Sequence, residues 1–240
     1  MRDRIETSEQ LTFPEMNESS SSLERVDSVH EMTSEDVERL RKIRPKTLGI
    51  VCGRSDCKKD LHCFRPPHRK FEDGPGPCQT CGADLVKWDE MWIRELRDPS
   101  EKFNMLKVEW IRHFFFHVPI TPRIKGHAQT LGLDGLATLA EHQLMQGKML
   151  QFNPDWDFNQ TKMLDGNIVH WARHAVACCC RKCMAYWHNV PTSARLSAQD
   201  VEYFKQLIIL YIRQRIPDLQ YAPAPRKPAQ KSVVGRRKAG

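Results

Sequence analysis

Along KFNMLKVEWIRHFFFH, the apolar side chains Phe103, Leu106, Trp110 and Phe114 return every three or four residues, the period of a helix with one buried face. The same reading predicts helices over residues 131–145 and 168–187. It also predicts a long amphipathic helix over residues 197–216, around VEYFKQLIILYIRQRI, with Ser197 as N-cap and Pro217 as the stop. A shorter helix is predicted over residues 34–43, SEDVERLRKI, ended by Pro45. Between Pro45 and Asp89 the helical period is lost in a Gly- and Pro-rich stretch, which predicts loops and short strands. The expected fold is therefore mainly α: a helical domain preceded by a small Cys-rich module of the zinc-ribbon or treble-clef kind. No internal repeat is seen.

Charge divides the chain further. Residues 1–36 carry ten acidic and three basic side chains, net −7, with a serine run at residues 19–22. From Ala222 onward there are six basic side chains and no acidic one, which leaves +8 on residues 37–221. Neither end has the apolar content to offset the entropy of ordering it. The expected organisation is a disordered acidic, Ser-rich arm (1–36), a Cys-rich module (37–92), a helical domain (93–221) and a disordered basic tail (222–240). The 240 residues are 40% hydrophobic and 28% charged, ordinary values for a globular protein. No run approaches the roughly 18 apolar residues of a membrane span, and MRDRIETSEQ lacks the apolar stretch of a secretory signal. A cytoplasmic address without membrane attachment is expected. There, nine cysteines point to metal ligation or free thiols rather than disulfides.

The first cysteine group has the stronger spacing. In PCQTCG, Cys78 and Cys81 form the two-ligand turn in which thiolates converge on one ion, backbone N–H groups donate to sulfur, and Gly82 relaxes the chain. Cys52 and Cys57, from CGRSDC, supply the second pair of a tetrahedron, with Cys63 as the substitute for Cys57. A structural zinc at Cys52, Cys57, Cys78 and Cys81 would contribute on the order of 10 kcal/mol to ordering this loop-rich segment. Pro77, Cys78 and Cys81 also give half of a zinc deaminase signature, but no HxE or CxE occurs in the chain to supply the acid/base glutamate.

The second group is HAVACCCRKCMAYWH, residues 174–188. At about 100° per residue on one continuous helix, His174 and Cys183 fall on opposite faces, so one ion needs a backbone turn near the cysteine triplet or after Trp187. The competing reading is a buried helix that uses small thiols as packing. This stretch, continued to HNVP, resembles a bacterial family known as domain of unknown function 4186, whose motif reads HATATCCRGC, then four residues ending in Trp, then His, Gly, Ile and Pro. His174, Cys179, Cys180, Arg181, Cys183, Trp187, His188 and Pro191 fall on its positions with unchanged spacing, and the likeness spans about residues 100–217. Gln160, Thr161 and the helix beginning near Leu196 are also similar. The motif has no cysteine at Cys178, which marks that residue as spare, and Asn189 replaces a glycine while tolerating a left-handed backbone. The resemblance implies a shared fold and a shared site, and it names no reaction. It promotes His174, Cys180, Cys183 and His188 as a second metal site, with Cys179 in reserve.

Weaker candidates are His113 and His117 on the FFF helix and Asp155 and Asp157 in NPDWDFNQ, which structural roles explain as well. GxSxG, P-loop and dinucleotide-binding patterns are absent. The function read from this sequence is a zinc module that binds nucleic acid or an acidic partner, with the +8 middle and basic tail attracting phosphate; Trp88, Trp92 and Trp110 could stack on bases, but core roles are the preferred reading for them. The alternatives are a metalloenzyme with an open metal position at 174–188 and a redox protein using Cys180 and Cys183, their pKa lowered by Arg181, Lys182 or a helix N-terminus.

Overall fold

The computed structural model describes residues 53–64, 75–96, 99–146 and 166–219. The arm at 1–36, the helix predicted over 34–43, Cys52, Asp155, Asp157, Gln160, Thr161 and the tail from Ala222 lie outside the described residues.

Seven α-helices occur among these residues: α1 (Trp88–Trp92), α2 (Pro99–Lys107), α3 (Trp110–His117), α4 (Pro122–Met145), α5 (Ile168–Ala175), α6 (Arg181–His188) and α7 (Ala198–Arg215). The chain is mainly α, as the apolar period predicts. Where short strands are predicted, the described residues have a single 3-10 turn, Cys57–Lys59, and two isolated bridges, Asp56 with Leu61 and His62 with Glu109.

The helix boundaries depart from the periodicity wherever a second segment competes for the backbone. The apolar face through Phe103 and Phe114 is cut into α2 and α3 because Glu109 is extended and pairs with His62. His62 N–H donates to Val108 O at 2.9 Å, and Trp110 N–H donates to His62 O at 2.9 Å. Helix α4 starts ahead of the predicted residue 131, since Thr121 caps Ile124 N–H at 3.3 Å and Pro122 takes the first turn. Gly132, at φ 62° and ψ 179°, breaks the path inside it, a conformation open to glycine and strained for other residues. The stretch predicted as one helix over 168–187 is two, α5 and α6, joined by a turn in which Ala177 sits at φ 54°. Helix α7 matches its expected start: Ser197 and Asp200 form a reciprocal capping box, with Asp200 N–H to Ser197 Oγ at 3.1 Å and Ser197 N–H to Asp200 Oδ2 at 2.9 Å.

Helices α4 and α5 pack on α7, α3 packs on α5, and α1 lies on α6. Phe115, Trp171, Phe204, Leu207, Ile208 and Tyr211 are buried in this core, and Phe64, Val86 and Met91 from the Cys-rich segment belong to the same core. Trp88 is wedged between Tyr186 and Trp187, with ring centroids 5.1 Å away in each case. The Tyr186 hydroxyl donates to Phe64 O, and Trp92 Nε1–H donates to Tyr186 O at 3.3 Å. Each aromatic side chain removed from water contributes about 2 kcal/mol. The Cys-rich segment is therefore fastened to α6 by a shared aromatic wall as well as by its own hydrogen bonds.

Candidate metal centres

Two clusters of cysteine and histidine side chains are assembled among the described residues, and each can hold a metal ion. In the first, Cys57, His62, Cys78 and Cys81 each offer one ligand atom, all within 4.8 Å of one another. The spacings suit a tetrahedral ion. Two sulfurs each about 2.3 Å from one zinc are about 3.8 Å apart at the tetrahedral angle, and Cys57 Sγ lies 3.8 Å from Cys78 Sγ. A sulfur and an imidazole nitrogen on the same ion are about 3.6 Å apart, and Cys81 Sγ lies 3.4 Å from His62 Nδ1.

The backbone explains why these side chains converge. Cys78 N–H donates to Ala83 O and Gly82 N–H donates to Cys78 O, both at 2.8 Å, closing the CQTC turn, while Gly82 supplies the required left-handed residue at φ 75°. Gln79 N–H donates to Cys63 O at 2.8 Å, which ties this turn to the segment bearing His62. Burial acts to raise the Cys78 thiol, but hydrogen bonds from the backbone of Cys63, Cys81 and Thr80, and from His62, outweigh it and lower it from 9.0 to about 6. Cys57 moves the other way, to about 11, through burial and its contacts with the Cys81 and Cys78 thiols. The turn thus favours a thiolate at Cys78, the form that ligates metal.

His62 is the member that spacing does not disclose. It sits next to Cys63, and CxC or CxxC arithmetic selects the cysteine. The signal is the alternation of an extended segment, in which neighbouring side chains take opposite faces. His62 shares a side with Phe64, their ring centroids 6.1 Å apart. Cys63 is buried at 2% exposure outside the group of four ligand atoms.

The second cluster consists of Cys179, Cys180 and Cys183, whose sulfurs also lie within 4.8 Å of one another. The turn required by helical geometry falls at the cysteine triplet: Cys178 N–H donates to Arg173 O at 2.9 Å, Cys180 is the N-cap of α6, and Cys183 is in its first turn. Cys179, expected only as a reserve ligand, joins the group, and Cys178 does not. Burial raises the Cys178 thiol to about 12, which keeps it a neutral packing group.

The two predicted histidine partners lie near the sulfurs but outside their group. His188 is fully buried and spends both ring nitrogens on the fold: Nε2–H donates to Val176 O at 2.9 Å, so Nδ1 accepts from the Tyr203 hydroxyl at 3.0 Å. Burial lowers it to about 3, so it stays neutral. His174 stacks on Phe115 with ring centroids 4.9 Å apart, and burial, with the charges of His170 and Arg112, keeps it neutral as well. Neither imidazole is in the sulfur group.

The cation facing the sulfurs comes from α3. Arg112 is 1% exposed, and its Nη2–H donates to Cys183 Sγ at 3.2 Å while Nη1–H reaches Cys179 Sγ at 3.8 Å and His174 O at 2.5 Å. Its Nε pairs with Glu109 Oε2 at 2.9 Å, both side chains being almost wholly buried. Arg181, one of the groups expected to lower the thiol pKa, donates to Pro191 O and Ala194 O at 2.6 Å, bracing the exit from α6. Asn189 ends that helix at φ 51°, the left-handed backbone expected there.

Of the weaker candidates, His113 and His117 stack with centroids 3.9 Å apart, and His117 Nδ1 bonds to His113 O at 2.7 Å. No helix among the described residues is long and apolar enough to cross a membrane. No solved structure matches the chain. The family model described as a domain of unknown function (DUF4186) matches residues 100–213, a span that includes the second cluster and Arg112 and excludes the four residues of the first. Residues 100–213 of this chain are therefore similar to that family, whose description names no activity.

Proposed function

We propose that this protein is a zinc-dependent binding protein in which Cys57, His62, Cys78 and Cys81 hold a structural ion. The observation that carries the reading is the convergence of four protein donors at zinc spacing. Three sulfurs and one imidazole suit zinc, and four protein ligands leave no position for substrate. The ion therefore shapes a surface and takes no part in a reaction.

On that surface Arg54, Lys58 and Lys59 are exposed around the Cys57 turn, and Arg54 lies over the Trp110 ring at 5.7 Å. Lys59 is paired with Asp56 at 3.9 Å and Asp60 is exposed, so the three basic side chains there outnumber the acidic ones by one. Together with the net charge of residues 37–221, they suit a polyanionic partner, nucleic acid or an acidic protein. Trp88 and Trp92 are engaged by the aromatic wall, so base stacking on them is not part of this reading.

Two outcomes test it. Reduced full-length protein is expected to retain zinc at the first cluster by metal analysis. His62→Ala should lose that equivalent and Cys63→Ala should keep it; retention by His62→Ala would remove the assignment. Binding to a single-stranded or duplex oligonucleotide, measured by fluorescence anisotropy, should weaken steeply with salt. Arg54→Glu with Lys58→Glu should reduce both affinity and salt slope, the slope by roughly one unit for each phosphate no longer neutralised. Salt-insensitive binding, or none, would leave zinc in place and exclude the nucleic-acid partner.

A further inference from the structure

We propose that Cys179, Cys180 and Cys183 form a three-sulfur pocket for a single thiophilic ion, one that three thiolates saturate, with Arg112 as the outer group holding the sulfurs in place. The inference stands on residues other than those of the structural zinc.

The donor count comes first. Among the described residues, three sulfurs lie within 4.8 Å of one another, and the two nearby imidazoles that sequence spacing offers as further ligands are outside the group. His188 has both ring nitrogens committed. Sulfurs bound to one ion at about 2.3 Å are about 4 Å apart in a trigonal arrangement, within reach of this cluster by small side-chain rotations. Zinc in proteins takes four ligands almost always, so a three-donor site favours ions content with fewer. Thiolates are soft donors and select soft ions over magnesium or calcium.

Charge narrows the class further. Three thiolates bring three negative charges into a site where Cys180 and Cys183 are buried at 6% and 1% exposure. Arg112, which shares its charge with Glu109 at 2.9 Å, and Arg173, whose Nη2–H donates to Cys179 O at 3.1 Å, offset the three charges only in part. An uncompensated buried charge is costly. The N-terminus of α6, on which Cys180 and Cys183 sit, offsets about half a charge. A divalent or trivalent ion supplies the rest. Soft centres which accept three sulfurs are cadmium or mercury, which displace three thiol protons to solvent, and trivalent arsenic, which as As(OH)3 exchanges its three hydroxyls for three sulfurs with release of three waters and no change of oxidation state.

Arg112 explains why the three sulfurs are held ready. Its guanidinium reaches Cys183, Cys179 and the last turn of α5 at once, so it sets the loop between α5 and α6 against α3. Cys179 is half-buried and gives the one partly open approach among the three sulfurs.

The experiment uses the reduced, zinc-loaded full chain with arsenite and, separately, cadmium as probes. One equivalent of arsenite should protect Cys179, Cys180 and Cys183 together from alkylation, read by peptide mass mapping, with zinc at the first cluster retained. Cadmium should give one equivalent of sulfur-to-cadmium ultraviolet absorption not displaced from the zinc site. Cys179→Ser, the least buried position, should weaken arsenite binding at least a hundredfold, and Cys178→Ser should leave it unchanged. Arg112→Lys should weaken it by about tenfold while preserving the three-thiol protection pattern. Protection of only two thiols, protection confined to Cys57, Cys78 and Cys81, or ready disulfide formation between Cys180 and Cys183 without ion binding would overturn the proposal. Loss of zinc from the first cluster with arsenite still held at the second would instead count against the structural-zinc reading alone.

Discussion

Cys78→Ser is expected to release the ion of the first cluster and to unfasten residues 53–64 and 75–86 from the helices. Free energy on the order of 10 kcal/mol resides in binding a structural zinc, and it is folding free energy wherever the apo segment cannot stand alone. Between Gly53 and Val86 the described backbone has one 3-10 turn and two isolated bridges, with Phe64, Cys78 and Val86 as its main contribution to the core. So little regular structure cannot offset the entropy of ordering without a further tie. Cys78 is the sulfur on which the cluster depends most: it is 2% exposed and accepts several backbone hydrogen bonds. Limited proteolysis should show new cleavage between Gly53 and Val86 in Cys78→Ser and in wild type stripped by a chelator. The helices from Pro99 onward should remain protected in both cases. The near-ultraviolet signal from Trp88 should fall in parallel, because its ring packs on Phe64 from that segment. Cleavage unchanged from wild type would mean that the aromatic wall alone orders the segment, and that the ion is dispensable for it.

The sequence carries the helices more fully than the ligands, and the reason is physical. Helix α7 has a continuous apolar face, an N-cap serine and a terminating proline, all local, and its observed bounds follow them. Residues 102–117 have the same quality of local signal, yet they are broken at Glu109 by a bridge to His62, which lies far away in the chain. A partner of that kind leaves no trace in helical periodicity. The first cluster is legible in part for the same reason. The turn at Cys78 and Cys81 is local and readable, and the structure brings Cys57 to it. His62, however, is selected over Cys63 by the face that an extended segment turns toward the cluster, which depends on the bridge. Cys52 lies outside the described residues. At the second cluster, helical geometry rightly demands a turn, and the turn at Ala177 brings Cys179 in. What spacing cannot show is Arg112. It is recruited from α3 through tertiary packing, whereas Arg181, adjacent in the motif, is spent on the carbonyls of Pro191 and Ala194.

Glu109→Gln is expected to cost about 3–5 kcal/mol, the range for removing one partner of a buried ion pair and leaving the other charge uncompensated. The carboxylate pairs with Arg112 Nε at 2.9 Å, with both side chains 2% exposed or less. Glutamine keeps the size and one acceptor, so the loss reports charge rather than packing. Its effect should reach both clusters, because Glu109 stands between them. Its backbone position is bridged to His62 of the first cluster, and its carboxylate orients the guanidinium that contacts Cys179 and Cys183 of the second. Urea unfolding should show a lower midpoint with an unchanged slope, and the thermal midpoint should fall by roughly 6–20 °C. Zinc should leave the first cluster more readily to a competing chelator, since the Val108 to Trp110 backbone that holds His62 is loosened. The double variant Glu109→Leu with Arg112→Met replaces the pair with somewhat shorter apolar side chains and should recover part of the stability. Recovery will be incomplete, because His174 O and the Cys183 sulfur lose their guanidinium donor. A loss below about 1 kcal/mol in Glu109→Gln would show that Arg112 is balanced by the cluster sulfurs, in thiolate form, rather than by this carboxylate.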